Sequence, residues 1–208
     1  MKSILSSSVK SLIFGICFGI GVIGTAAIAI TVSATFNDGD TLSATSLNAL
    51  KTAVESIPDS DYIWIQDEKA PTVVGGGCTS GTWWKRDLNT EKADSKGLAS
   101  LSDNQITLAA GTYRILASIP GYVIGSNKSR LYNVSDASVI ISGTSAYSGG
   151  TNTTTNSLIK GQFTISEAKT LEIQHRCETT RAPDGFGHPF EVGENEVYTV
   201  VELWRISD

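Results

Sequence analysis

Histidine is nearly absent from this chain: His175 and His188 are the only two in 208 residues. A hydrolytic triad needs an imidazole held by a carboxylate beside a nucleophile. No G-x-S-x-G turn is present to supply that nucleophile. Cysteine is almost as scarce, with Cys17, Cys78 and Cys177 alone. No C-x-x-C or H-x-x-x-H spacing joins them to a metal site, so neither metal nor cofactor is expected. Charge is also thin: 18% of residues are charged, below the usual quarter. Acids outnumber bases 21 to 16, for a net charge of −5, which speaks against a nucleic-acid partner, because phosphate binding needs basic patches. The acids Asp38, Asp40, Asp67, Glu68, Asp184 and Glu194 lack the alternating ligand pattern of a calcium loop and read as solvated turn carboxylates.

No acidic residue occurs before Asp38. Lys2 and Lys10 precede an apolar stretch from Leu12 to about Val32, and Val32-Ser33-Ala34 carries small residues where a signal peptidase reads. Residues 1–34 are therefore expected to be a signal peptide cleaved after Ala34. The alternative is a retained membrane anchor, since residues 12–32 are long enough to span a bilayer. Cleavage removes Lys2 and Lys10 with no acid, taking the net charge to −7. It also removes Cys17 and leaves Cys78 and Cys177, an even pair in an exported chain. A disulfide is the expected state, with two free thiols as the alternative.

Residues 35–60 carry Leu47, Leu50, Val54 and Ile57 at spacings of 3, 4 and 3, the stripe of a short helical stem. Two heptads do not persist alone, so the stem must dock on the domain or on copies of itself. After Pro58 the period becomes two. Strands are predicted at YIWIQDEKA, TWWKRDL, on both sides of the turn in QITLAAGTYRILASI, and at SRLYNV, SVIISG, LIKGQFTI, TLEIQHRC and EVYTVVELWRI. LIKGQFTI and TLEIQHRC read as one hairpin. AYSGGTNTTTNS reads as a polar loop and TTRAPDGFGHPFEVGEN as a long Gly/Pro loop. Many short strands with no crossover helix imply an all-β antiparallel sandwich or jelly roll over residues 61–208. In the last strand Val197, Val201 and Leu203 share one face, and Tyr198, Val200, Trp204 and Ile206 the other. A half-solvated strand has one polar face, so this one is expected to be covered twice, once by another subunit.

The blocks IQDEKAPTVVGGGCTSGTWWKRDLNT, LSDNQITLAAGTYRILASIPGY, RLYNVSD, GQFTI, LEIQHRC and EVYTVVELWRI resemble a domain that recurs in bacterial exported and phage structural proteins. That domain is similar to the globular heads of complement and tumour-necrosis-factor-like proteins. The resemblance spans about residues 61–206. It implies a ten-strand jelly roll that trimerises around its inner sheet, and no catalytic or ligand residues, because its members bind very different partners.

The candidate oligomer interface is Leu47, Leu50, Val54, Tyr198, Val200 and Trp204. Trp83 and Trp84 alternate along a strand, so one is expected in the core and one outside. The outer one, with Arg86, would form a subunit contact or a sugar platform. His175 lies on an apolar face and reads as a hydrogen-bonded core residue. Loops 143–157 and 178–195 are the candidate recognition surface for a glycan or protein. The sequence points to an exported, non-catalytic binding or structural module, secreted or at the cell surface. A membrane-anchored surface protein and a secreted polysaccharide hydrolase are the competing readings.

Overall fold

Alternation of apolar and polar residues along GTYRILASI places Tyr113, Ile115, Ala117 and Ile119 on one face of a strand, and all four are buried. The computed structural model describes residues 44, 45, 47, 48, 51 and 61–208. Eleven strands occur among them: β1 (Asp61–Lys69), β2 (Trp84–Lys85), β3 (Thr90–Asp94), β4 (Ala99–Ser102), β5 (Gln105–Leu108), β6 (Gly111–Tyr122), β7 (Gly125–Asn133), β8 (Ser138–Ser148), β9 (Thr154–Ile165), β10 (Lys169–Cys177) and β11 (Glu196–Ser207). They form two antiparallel sheets. The first has the order β3-β1-β11-β6-β9 and the second β4-β5-β10-β7-β8, with β2 paired to β10. The sheets face each other as a jelly-roll sandwich. Ile63, Ile65, Ile115, Ile119, Ile159, Val201 and Leu203 from the first sheet meet Ile106, Leu108, Leu131, Leu171 and Ile173 from the second in one core.

Two units separate along the chain, Met1–Asp59 and Ser60–Asp208. In the first, residues 44, 45, 47, 48 and 51 have helical backbone and are exposed. Leu50, Val54 and Ile57 of the expected stem, and the apolar segment 12–32, lie outside the described residues.

Four expectations change. LIKGQFTI and TLEIQHRC are not a hairpin: β9 pairs with β6 in one sheet, and β10 with β5 and β7 in the other. Their short connection crosses between sheets, which local turn chemistry does not reveal. AYSGGTNTTTNS is mostly strand, and only residues 149–153 turn between β8 and β9. Its alternation is hidden because hydroxyls, not alkyl groups, fill the interior there. Ser157 is fully buried, donates to the Thr144 carbonyl (2.6 Å) and meets the Ser129 hydroxyl at 2.7 Å. TWWKRDL contributes two residues of strand, not seven, because Arg86 turns inward. The polar edge strands β3 and β4 were not expected, since an edge strand needs no apolar face.

One face of β11 is covered and the other only in part. Val201 and Leu203 are buried in the core, whereas Val197 is exposed. Tyr198 is covered by its own chain and is removed from the candidate interface. Its hydroxyl donates to the Val73 carbonyl at 2.7 Å, and burial raises the phenol's pKa to about 12. The ring fits because Gly75 and Gly187 carry no side chain. A Cβ would lie 2.9 Å from the ring at Gly75 and 2.0 Å at Gly187, where φ is also +156°. Gly187→Ala is expected to destabilise the domain by about 2–4 kcal/mol through overpacking and backbone strain, read as a lowered midpoint in urea unfolding. Gly193→Ala, where φ is positive but a Cβ would meet nothing within 4 Å, is expected to cost only the backbone share, about 1–2 kcal/mol.

Candidate functional site

The three glycines of Gly75–Gly77 lead to Cys78, which is bonded to Cys177 at the end of β10. Their Cα atoms are 6.5 Å apart, across a separation of 99 residues. Cys78 also exchanges backbone hydrogen bonds with Arg181, at 2.9 and 2.8 Å. The glycine segment is thus held both to β10 and to the long loop before β11. Cross-linking a loop of this length contributes roughly 4–5 kcal/mol in the chain-entropy account. The bridge packs with Ile124 and Phe186 in a small second core.

Beside this core lies the group that the sequence placed on the surface. Arg86 is fully buried, a correction to its reading as a ligand residue. Its Nη1 donates to the Pro120 carbonyl at 2.8 Å and lies 3.2 Å from His175 Nδ1; its Nη2 donates to the Phe186 carbonyl at 2.7 Å. The guanidinium lies 4.2 Å from the centroid of the Phe186 ring. Burial lowers its pKa to about 10, against the pull of Asp67 and Asp87, so it stays charged at neutral pH. His175 is also fully buried and stacks on Phe186. It accepts from Arg86 at Nδ1, so its proton sits on Nε2, which donates to Asn127 Oδ1 at 3.0 Å. Burial, and secondarily the Arg86 charge, holds His175 well below the ordinary imidazole range. Both ring nitrogens are thus engaged by structural partners. His188 faces Asp184 at 2.9 Å and stacks on Tyr122, while Arg181 clamps the same carboxylate. No group of three or more potential metal ligands occurs among the described residues.

Neither tryptophan enters the core. Trp84 is exposed, and its indole donates to the Thr79 carbonyl at 2.9 Å. Trp83 is half-buried beneath Arg130, whose guanidinium lies 4.0 Å from the Trp83 ring centroid and 4.9 Å from that of Tyr132. Trp83 lies on the outer face of the sheet, and the inward position of this segment is taken by Arg86.

Trp83 borders an open groove of about 610 Å³ on the outer face of the second sheet. Its floor and walls come from β7, β8 and β10: Ser126 and Lys128, Ser145 and Tyr147, Arg176, with Glu178 following. Register assembles it. Lys128 pairs with Arg176 on one side and Ser145 on the other, and Ser126 pairs with Tyr147. Glu178 is turned back onto the Ser126 amide at 2.8 Å, and that bond lowers its pKa. Sequence reasoning missed Lys128, Tyr147 and Arg176. The alternation of SNKSRLY and LEIQHRC does put Lys128, Arg130 and Tyr132, and Gln174 and Arg176, on outward faces. Only the register brings the cations together. The short turn 149–153 and loop 178–195 flank this end of the sandwich.

His175 gives a pH signature. Between the unfolded pKa, near 6.5, and its lower folded value, the unfolded chain binds a proton that the folded chain does not. Stability is therefore fully present above about pH 6.5 and is lost as pH falls below it, at up to about 1.4 kcal/mol per pH unit. Urea unfolding between pH 7 and 5 is expected to show this slope. His175→Gln is expected to remove it while lowering stability at pH 7 by about 1–3 kcal/mol.

No protein-family profile matches the chain, and no curated protein sequence matches it. Solved structures do. The globular domain of zebrafish complement 1qA protein is 12% identical, covering 71% of this chain and 98% of that one, with a TM-score of 0.46. Murine APRIL at pH 5.0 is 6% identical, covering 71% and all of that chain, with a TM-score of 0.46; at pH 8.0 it is 4% identical with a TM-score of 0.45. Both are of the complement and tumour-necrosis-factor-like kind that the sequence resembles.

Proposed function

We propose that this protein is an exported, non-catalytic binding or structural module that works as a homotrimer, secreted or displayed at the cell surface. The observation that carries the reading is the outward face of the first sheet. Tyr62 and Trp204 pair across β1 and β11 and their rings lie 5.3 Å apart. Leu116 pairs with Glu202, and Val200 with Ser118, which in turn pairs with Leu158. Leu158 and Ile206 are 42% and 45% exposed. At ~25 cal/mol per Å² of apolar area, covering several such groups stabilises an assembly by several kcal/mol per subunit. A threefold contact covers this face. His175 is fully buried with both ring nitrogens hydrogen-bonded, which supports a non-catalytic role for it over the hydrolase reading.

Export is supported by the Lys-flanked apolar segment and Val32-Ser33-Ala34, together with the Cys78–Cys177 bridge, which suits an oxidising compartment. The first residue of the exported protein separates the two export readings: Thr35 for the cleaved form, Met1 for the anchored one.

Sedimentation of the full chain at micromolar concentration is expected to give three times the protomer mass. Trp204→Glu and Val200→Glu are expected to raise the dissociation constant about a hundredfold or more, because each buries an unpaired carboxylate in the contact. A monomer in the unsubstituted chain refutes the trimer. Tyr198→Glu is not a probe of assembly, because that ring is buried within the protomer.

A further inference from the structure

The groove between Trp83 and Tyr147 contains an arrangement that a sheet does not adopt for its own stability. Lys128 and Arg176 sit directly opposite each other on β7 and β10, and like charges so placed are destabilising. Neither makes an ion pair among the described residues, whereas Lys69, Lys85, Lys92, Lys169, Arg181 and Arg205 each hold a carboxylate. A third cation, Arg130, lies nearby; burial chiefly lowers its pKa, with Arg176 adding to this and Glu172 opposing it. The one acid of the groove, Glu178, is occupied by the Ser126 amide. Lys128 and Arg176 against the ionised Glu178 leave the groove's lining with a net charge of +1, on a chain whose net charge is −5. Around the two cations stand Ser126, whose amide and hydroxyl both serve Glu178, with Ser145, the Trp83 ring, and Tyr147, which is 65% exposed.

We propose that this groove binds an acidic saccharide, with a carboxylate or sulfate on Lys128 and Arg176 and a sugar ring against Tyr147 and Trp83. The chemistry fits each part. A guanidinium and an ammonium side by side hold an oxyanion through charge-assisted hydrogen bonds. Serine hydroxyls both donate to and accept from sugar hydroxyls, and aromatic rings present an apolar face with a polar rim. β7 and β10 are interior strands with their backbone groups already paired, so a peptide could add as a strand only along the edge strand β8 and not over the cations. The inference deepens the reading of a binding module by naming its ligand class, and it does not depend on the oligomeric state.

The test uses the exported full chain and four probes measured by calorimetry: an oligogalacturonate, a sulfated galactan oligosaccharide, a neutral galactan oligosaccharide and polyglutamate. The expected result is binding of one or both acidic saccharides, weakened by rising salt, with little binding of the neutral one. The carboxylate and sulfate arms show which anion is preferred. Lys128→Gln and Arg176→Gln are each expected to weaken binding about tenfold, and Tyr147→Ala by several-fold. The thermal midpoint of Arg176→Gln is expected to stay level or rise, because a like-charge pair is removed. A lowered midpoint would mean that the cation is structural and would overturn the proposal. So would equal binding of the neutral saccharide, tighter binding of polyglutamate, no binding of any probe, or unchanged affinity in the charge variants. Sedimentation of the same samples separates the two readings: a trimer that binds nothing sinks the groove alone, and a monomer that binds sinks the trimer alone.

Discussion

A guanidinium that cannot lose its charge at neutral pH has been placed where water cannot reach it, and the architecture of one end of the sandwich follows from that. Removing a cation from water costs several kcal/mol unless its donors are taken up. Arg86 is compensated by the Pro120 and Phe186 carbonyls, the His175 imidazole and the face of the Phe186 ring. Those acceptors belong to β6, to the loop before β11 and to β10. Holding the two Nη groups of one side chain, whose buried Nε has no hydrogen-bond partner among the described residues, therefore fixes three otherwise separate parts of the chain. The constraint then propagates. His175, fixed in one tautomer, orients Asn127, whose amide donates to the Gly125 carbonyl. Gly125 and Asn127 begin β7, the strand that carries Lys128 into the groove. The disulfide ties the same region covalently, but it acts mainly on the unfolded chain. Arg86 specifies the folded arrangement.

Where alternation of apolar and polar residues is strong, the fold was legible in the sequence. The inward faces of β6 and β11 were read from Tyr113, Ile115, Ala117 and Ile119 and from Val201 and Leu203, and the cysteine pairing followed from the count. What was not legible has one common cause: polar groups inside. Ser129, Ser148, Ser157 and Asn127 line the interior at the loop end, so the adjoining ends of β8 and β9 read as a loop. Arg86 took the inward place that its type normally leaves to tryptophan, so the indole expected in the core was misplaced and a structural cation was read as a surface one. Tyr198 was read as a subunit contact because nothing in its own strand reveals that Gly75 and Gly187, far along the chain, leave a slot for its ring. The cationic groove was invisible for a similar reason. Lys128 and Arg176 are 48 residues apart in sequence and meet only through the β7–β10 register.

The two proposed activities occupy opposite sides of the molecule. Self-association uses the outward face of the β3-β1-β11-β6-β9 sheet, where aromatic and aliphatic groups lie unopposed. Ligand capture uses the outward face of the other sheet, where the side chains are polar and cationic. A sandwich separates such surfaces by its full thickness, so each can change without disturbing the other. In a trimer, three identical grooves multiply weak single-site affinities through effective concentration, which suits recognition of a repeating polysaccharide better than that of a single small molecule.

The central claim is that buried Arg86 holds the loop end to the sandwich. It is tested most directly by native-state hydrogen exchange on an Arg86→Met variant, with the disulfide intact. The amides of Gly75, Tyr122 and Phe186, which bond to Gly187, Gly185 and Gly76, are expected to lose protection by at least tenfold. Amides of β11 paired with β6, such as those of Val201 and Leu203, are expected to keep theirs more fully. Unchanged protection at Gly75, Tyr122 and Phe186 would contradict the account and leave the disulfide as the sole organiser of that end.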